Sequence, residues 1–163
     1  MRDQLHPIVP AGLVAAFYKG NRDGYAGVLS YLGRKLDHGP YSHTELILPT
    51  GVSLSSSLPD GGVRAKLIRY SCPHKWDFLP IPDPGSTRTL GALAWFEAHK
   101  DDKYDILGNL RFVTNFIPHS EDKQFCSEAN MAMLGYPEPF RYGPSGMAVT
   151  LQHDFKTQMI YGA

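Results

Sequence analysis

Tyr41-Ser42-His43-Thr44-Glu45-Leu46-Ile47-Leu48-Pro49-Thr50-Gly51-Val52-Ser53-Leu54-Ser55-Ser56 is where the hydrophobic period of the chain drops to the two-residue repeat of β-strands. Residues 44–48, 52–56 and 63–69 read as strands. Pro49-Thr50-Gly51 and Pro59-Asp60-Gly61-Gly62 separate them. Two short turns joining three strands predict an antiparallel meander. Upstream, His38-Gly39-Pro40 forces a turn. Before that turn, residues 23–36 carry Val28, Leu29, Leu32 and Leu36 at helical spacing, and Leu13–Tyr18 reads as a short buried strand. Downstream, a helix is expected over Thr87–His99, capped by Ser86, with Leu90, Leu93, Ala94 and Phe96 as its apolar stripe. Another opens at Phe125-Cys126-Ser127-Glu128 and stops at Gly135. Residues 80–84 read as a proline-dense loop, and beyond Gly135 the glycines and prolines blur the pattern. The class predicted is α+β, with helices packed on a small antiparallel sheet.

Composition narrows the function classes. A chain of 163 residues suits one domain, spanning 1–163, that buries roughly two thirds of its unfolded surface. Sixteen basic residues against sixteen acidic ones give zero net charge. The nearest basic clusters, Arg64/Lys66/Arg69 and Lys100/Lys103, are mixed with acidic or apolar residues, which argues against a nucleic-acid partner. Two cysteines cannot staple a secreted scaffold. Met1-Arg2-Asp3-Gln4 lacks a signal-peptide core, and the apolar residues 8–18 are broken by Pro10 and Gly12 and too short to span a bilayer. The expectation is a soluble, cytoplasmic protein without a membrane span.

Cys126 stands where the polar run Ser120-Glu121-Asp122-Lys123 gives way to a helix, so it belongs to a first helical turn. Unpaired N–H groups and the helix dipole there favour a thiolate, and the same N–H groups can hold an oxyanion. The plainer alternative is a small residue that helps the helix pack. His43 opens a strand, and alternation puts Glu45 on its face. A rigidly held imidazole is suited to act as base for a thiol on a facing helix. Its plainer alternative is a hydrogen-bonded structural histidine. Glu45, inside an apolar run, either orients His43 or contacts substrate, or else it faces solvent.

Taken together, Tyr41-Ser42-His43 followed by a strand, Tyr104-Asp105 with Gly108, and Phe125-Cys126-Ser127-Glu128 opening a helix resemble a known family. It is the circularly permuted papain-like cysteine hydrolases, the NlpC-type, YiiX-like branch of amidases and peptidases. The likeness spans roughly residues 17–135 and lies in order and spacing more than in any one string. It implies a permuted papain-like fold, Cys126 as nucleophile, His43 as base, and Tyr104 as a residue supporting the active site or its oxyanion. Family members usually carry a polar residue, often Glu, on the strand after the histidine. Here that strand reads Val52-Ser53-Leu54-Ser55-Ser56-Ser57, without a carboxylate, so the third member is Ser55 or Glu45.

The activity expected is thiol hydrolysis of an amide, peptide or related acyl bond, with no metal and no organic cofactor. Substrates would be a peptide, an isopeptide or an acyl-lipid. Alternatives are an acyltransferase of the same fold and an inactive binding module that keeps the cleft. Cys72-Pro73-His74 with His119 is a weak zinc pattern lacking a second ligand pair at finger spacing. A Cys72–Cys126 disulfide is not expected in a reducing compartment. Asp60 reads as a turn residue, and Trp76, Trp95 and Phe96 as core, rim or groove.

Overall fold

The computed structural model describes residues 8–20, 39–104 and 123–162. The helix expected over residues 23–36 lies outside them, as do Asp105, Gly108 and His119. Among the described residues the chain runs β1 (Leu13–Tyr18), β2 (His43–Ile47), β3 (Val52–Ser57), β4 (Gly62–Leu67) and β5 (Trp76–Ile81). Then follow α1 (Thr87–His99), β6 (Lys103–Tyr104), β7 (Lys123–Gln124), α2 (Cys126–Met133), α3 (Pro144–Phe155) and β8 (Ile160–Tyr161). The fold is α+β.

The meander β2–β3–β4 is present and antiparallel. The sheet around it is larger than the small one expected: among the described residues eight strands join in the order β7-β6-β4-β3-β2-β1-β5-β8. Only the β6–β7 pairing is parallel. β1 pairs with β2 on one side and β5 on the other, β8 adds to β5, and β6 and β7 extend the β4 edge. β1 is central and buried on both faces, and both faces of its Leu-Val-Ala-Ala-Phe run are apolar to match.

Alternation along the central strands builds two cores. Leu13, Ala15, Phe17, Leu46 and Leu54 meet Ala92 of α1, Ala129 and Met131 of α2, and Met147 and Leu151 of α3 on the helical face. Val14, Ala16, Ile47 and Phe78 meet Val9 and Tyr70 on the other face. The Leu, Ile, Val, Phe and Met side chains among them contribute about 1.5–3 kcal/mol each on burial.

Several expectations are corrected here. Residues 80–84 are not simply a loop, because Pro80 and Ile81 end β5, with Pro80 opposite Val14. Proline lacks an N–H. It is tolerated here because β8 pairs with β5 only at Asp77 and Phe78, which among the described residues leaves Pro80 without a partner strand on its outer side. Ser86 stands at the N-cap position of α1 but makes no capping bond. Asp83 caps the helix instead: its carboxylate accepts from Arg88 N at 2.7 Å, Thr89 N and Thr89 Oγ1. The α1 stripe is also displaced, since Leu90 and Leu93 are 62% and 37% exposed while Ala92 is the buried residue. The blurred C-terminal region holds α3, opened by Pro144 at a first-turn position where its missing N–H costs nothing.

Candidate active site

Five strands carry one row of residues across the sheet. Ser57 pairs with Gly62, Gly62 with Lys103, and Lys103 with Lys123. Continuing the β2–β3 register of Leu46↔Leu54 sets His43 opposite Ser57. The starts of β2 and β4, the β3–β4 turn, β6 and β7 therefore share one end of the sheet, and Cys126 follows β7 by two residues. Gly62 makes the close approach possible, since a Cβ there would collide with the Asp102 carbonyl. Tyr104, on β6, donates its backbone N–H to the Gly61 carbonyl at 3.2 Å and pairs with Gln124, two residues before Cys126.

The entry to β2 is fixed just ahead of His43. Ser42 donates its N–H to the Tyr18 carbonyl at 2.9 Å and its hydroxyl to the Gly20 carbonyl at 2.9 Å. Tyr41 donates its hydroxyl to buried Asp77 at 2.8 Å, and Lys19 Nζ holds the other oxygen of that carboxylate at 2.7 Å. Burial and then this bond to Asp77 hold the Tyr41 hydroxyl protonated far above the ordinary tyrosine range. The two residues ahead of His43 thus serve as anchors.

His43 and Glu45 meet as alternation predicts. His43 Nε2 lies 2.8 Å from Glu45 Oε1. An ionised carboxylate can only accept, so Nε2 donates, and in the neutral ring Nδ1 is the acceptor nitrogen. Ser55 plays no part in this contact, because its hydroxyl donates to the Thr44 carbonyl at 2.7 Å. Of the two candidates for orienting the imidazole, Glu45 is the one bonded to it.

Glu45 is itself gripped by Arg64, which in the sequence looks like one more cation of a mixed cluster. Arg64 Nη1 donates to Oε2 at 2.6 Å and Nη2 donates to Oε1, while Nε donates to Asp60 Oδ2 at 3.0 Å. Lys66 Nζ holds Asp60 Oδ1 at 2.9 Å. Burial alone would raise the Glu45 carboxyl, but the bonds from Arg64 and His43 overcome it and hold the group below its ordinary value. At Asp60 burial likewise opposes, and Lys66 and Arg64 win, lowering it to about 2. A signal for Arg64 exists in the sequence. Ser55 faces Arg64, and the same register carried one strand further sets Ser55 opposite Glu45. A small serine between them lets the long guanidinium reach the carboxylate two strands away. Beside this chain of charges lies an open cleft of about 470 Å³ lined by Glu45, Ser57, Asp60, Arg64, Lys66 and Trp76. Asp60 is thus both a turn residue and part of a cleft wall.

Cys126 is the first residue of α2, is 3% exposed, and belongs to no disulfide; Cys72 is exposed and also unpaired by disulfide. Phe125 takes the N-cap position, and its N–H is accepted by the carboxylate of buried Glu128 at 3.3 Å. Asn130, one turn after Cys126, donates Nδ2 to Thr44 Oγ1 at 2.9 Å. This bond ties α2 to β2 one residue past His43. Thr44 and Leu46 face α2, whereas alternation sends Glu45 and Ile47 to the opposite face. His43 shares the face of Glu45, so any contact with Cys126 would have to be made around the edge of the sheet at the first residue of β2. It cannot cross the middle of the sheet.

Among the described residues no three His, Cys, Asp or Glu side chains are grouped to hold a metal ion, and no helix is long and apolar enough to cross a membrane. Comparison with known protein families and with curated sequences returned no match.

Proposed function

We propose that the protein is a papain-like, circularly permuted thiol hydrolase acting on an amide, peptide or related acyl bond. Cys126 is the nucleophile and His43 the base. The observation that carries this reading is the 2.8 Å bond between His43 and Glu45. It supplies the base with an orienting carboxylate through Nε2 and leaves Nδ1 as the ring nitrogen able to accept a thiol proton. In support, Asn130 ties the Cys126 helix to the residue beside His43.

In the reaction, Nδ1 takes the thiol proton and Sγ attacks the substrate carbonyl carbon. N–H groups of the first turn of α2 stabilise the oxyanion, and Tyr104, at the same sheet end, supports the site. The tetrahedral intermediate collapses, breaking the C–N or C–O bond while the imidazolium returns its proton to the leaving group. Water, deprotonated by His43, then releases the acyl group from sulfur. A peptide, isopeptide or acyl-lipid substrate fits this chemistry; a second nucleophile in place of water would make the same site an acyltransferase. The site needs no cofactor, and the setting we assign is cytoplasmic.

One observation favours a second reading, an inactive module that retains the cleft: Cys126 exposes only 3% of its surface. A screen of peptide, isopeptide and acyl-lipid substrates separates the two. Turnover that Cys126→Ala abolishes supports the hydrolase. A screen in which wild type and Cys126→Ala release product at equal rates rejects it.

A further inference from the structure

The described residues place five charged or titratable side chains in an unbroken line, Lys66–Asp60–Arg64–Glu45–His43, from the exposed β3–β4 turn to the imidazole. A surface ion pair would leave His43 indifferent to Arg64, but this line is not superficial. Glu45 is 1% exposed, and the Arg64 side chain only 13%. Burying a carboxylate with histidine as its only partner is costly, because a neutral imidazole offers one N–H and no charge. Arg64 supplies the missing charge and two parallel N–H groups in a fixed plane, which a lysine cannot do. Asp60 in turn fixes Arg64 through Nε, so the fork has one orientation.

We infer that Arg64 is the positioning residue of the base: its guanidinium keeps Glu45 ionised and aimed at His43 Nε2, and it cancels most of the negative field the imidazole would otherwise feel. This rests on the hydrolase reading for its use but not for its test. Without Arg64, the Glu45–His43 pair would hold a buried net negative charge and would take up a proton at higher pH, shared between the two groups. Among the described residues, other groups near the pair are Tyr18, beside His43 in the β1 register, Ser57 across from it, and Tyr70. Burial and the Glu45 charge keep the Tyr70 hydroxyl protonated. Asp60 and Lys66 balance each other, so among the described residues Arg64 is the partner whose loss unbalances the pair.

The test is the NMR titration of the His43 ring, assigned by the loss of its signal in His43→Gln. Arg64→Met is expected to move the midpoint up by about one pH unit or more. A folded Arg64→Met protein that titrates within about 0.3 unit of wild type overturns the proposal. Arg64→Gln, which keeps N–H groups but removes the charge, covers a failure of the first variant to fold: its midpoint is likewise expected up by about one pH unit or more, and a folded protein that titrates within about 0.3 unit of wild type overturns the proposal. Neither titration involves Cys126 or a substrate. An inactive Cys126 would sink the hydrolase reading and leave this result standing.

Discussion

On one face of β2, Thr44 and Leu46 meet α2 through apolar contact and a single neutral hydrogen bond; on the other, His43 and Glu45 meet Arg64 through charge. The first face is stabilised by area removed from water, which does not change with pH. The second is stabilised only while each charge keeps its partner. A five-residue strand thus joins a part of the molecule whose stability is indifferent to pH to a part whose stability is not. Function is expected on the charged side, because an orienting carboxylate is useful only if its charge and position are fixed.

The contrast can be broken by substitution, starting with the largest effect. Cys126→Ala and His43→Ala should each lower turnover by about a thousandfold or more, with Cys126→Ala leaving the thermal unfolding transition within a few degrees of wild type. Retained turnover in either would remove that residue from the mechanism. Leu46→Ala, on the apolar face, should cost about 3 kcal/mol in urea unfolding, by the same amount at pH 5 and pH 8. Glu45→Gln leaves Arg64 without its buried partner and should cost about 3 kcal/mol at pH 7, with turnover lowered as well. Unlike the Leu46 variant, it should lose its deficit as the pH falls.

That last distinction follows from the sign of the shifts. The Glu45 and Asp60 carboxyls are both held below their ordinary values in the folded protein. Their contributions are complete above the unfolded values of about 4 and disappear as pH falls through the folded ones, which for Asp60 means towards about 2. Unfolding titrations of wild type and Glu45→Gln should converge below about pH 4; curves that stay parallel would detach Glu45 from acid stability. The smallest effects are at Thr44 and Ser55. Thr44→Val, which strips the acceptor from Asn130, should cost about 1 kcal/mol. Ser55→Ala should leave the rate within about twofold, since its hydroxyl serves the Thr44 carbonyl and not His43.

How much of this is legible in the sequence depends on how local the cause is. β1, the meander and the start of α2 are written in short-range patterns: an apolar run, alternation between turns, a polar stretch that becomes helical. The His43–Glu45 contact follows from the same alternation. β5 is hidden because Pro80 argues against a strand unless the neighbouring β8 is known to be too short to need its N–H. The buried face of α1 cannot be read from spacing alone, because helical spacing selects several faces and only the position of α2 decides that Ala92 is the buried residue. Arg64 requires two strand registers in succession, each fixed by a turn, before its link to Glu45 can be seen.

The central claim, that Cys126 is a nucleophile activated by His43, is tested most directly by the rate of its alkylation with iodoacetamide against pH. Exposed Cys72 is first replaced by serine. At pH 6, where an unperturbed thiol with a pKa of about 8.5 is almost wholly protonated, Cys126 should react at least about tenfold faster than such a thiol, and His43→Ala should abolish the difference. A rate that follows the unperturbed thiol across the whole range, with no response to His43→Ala, would contradict the account.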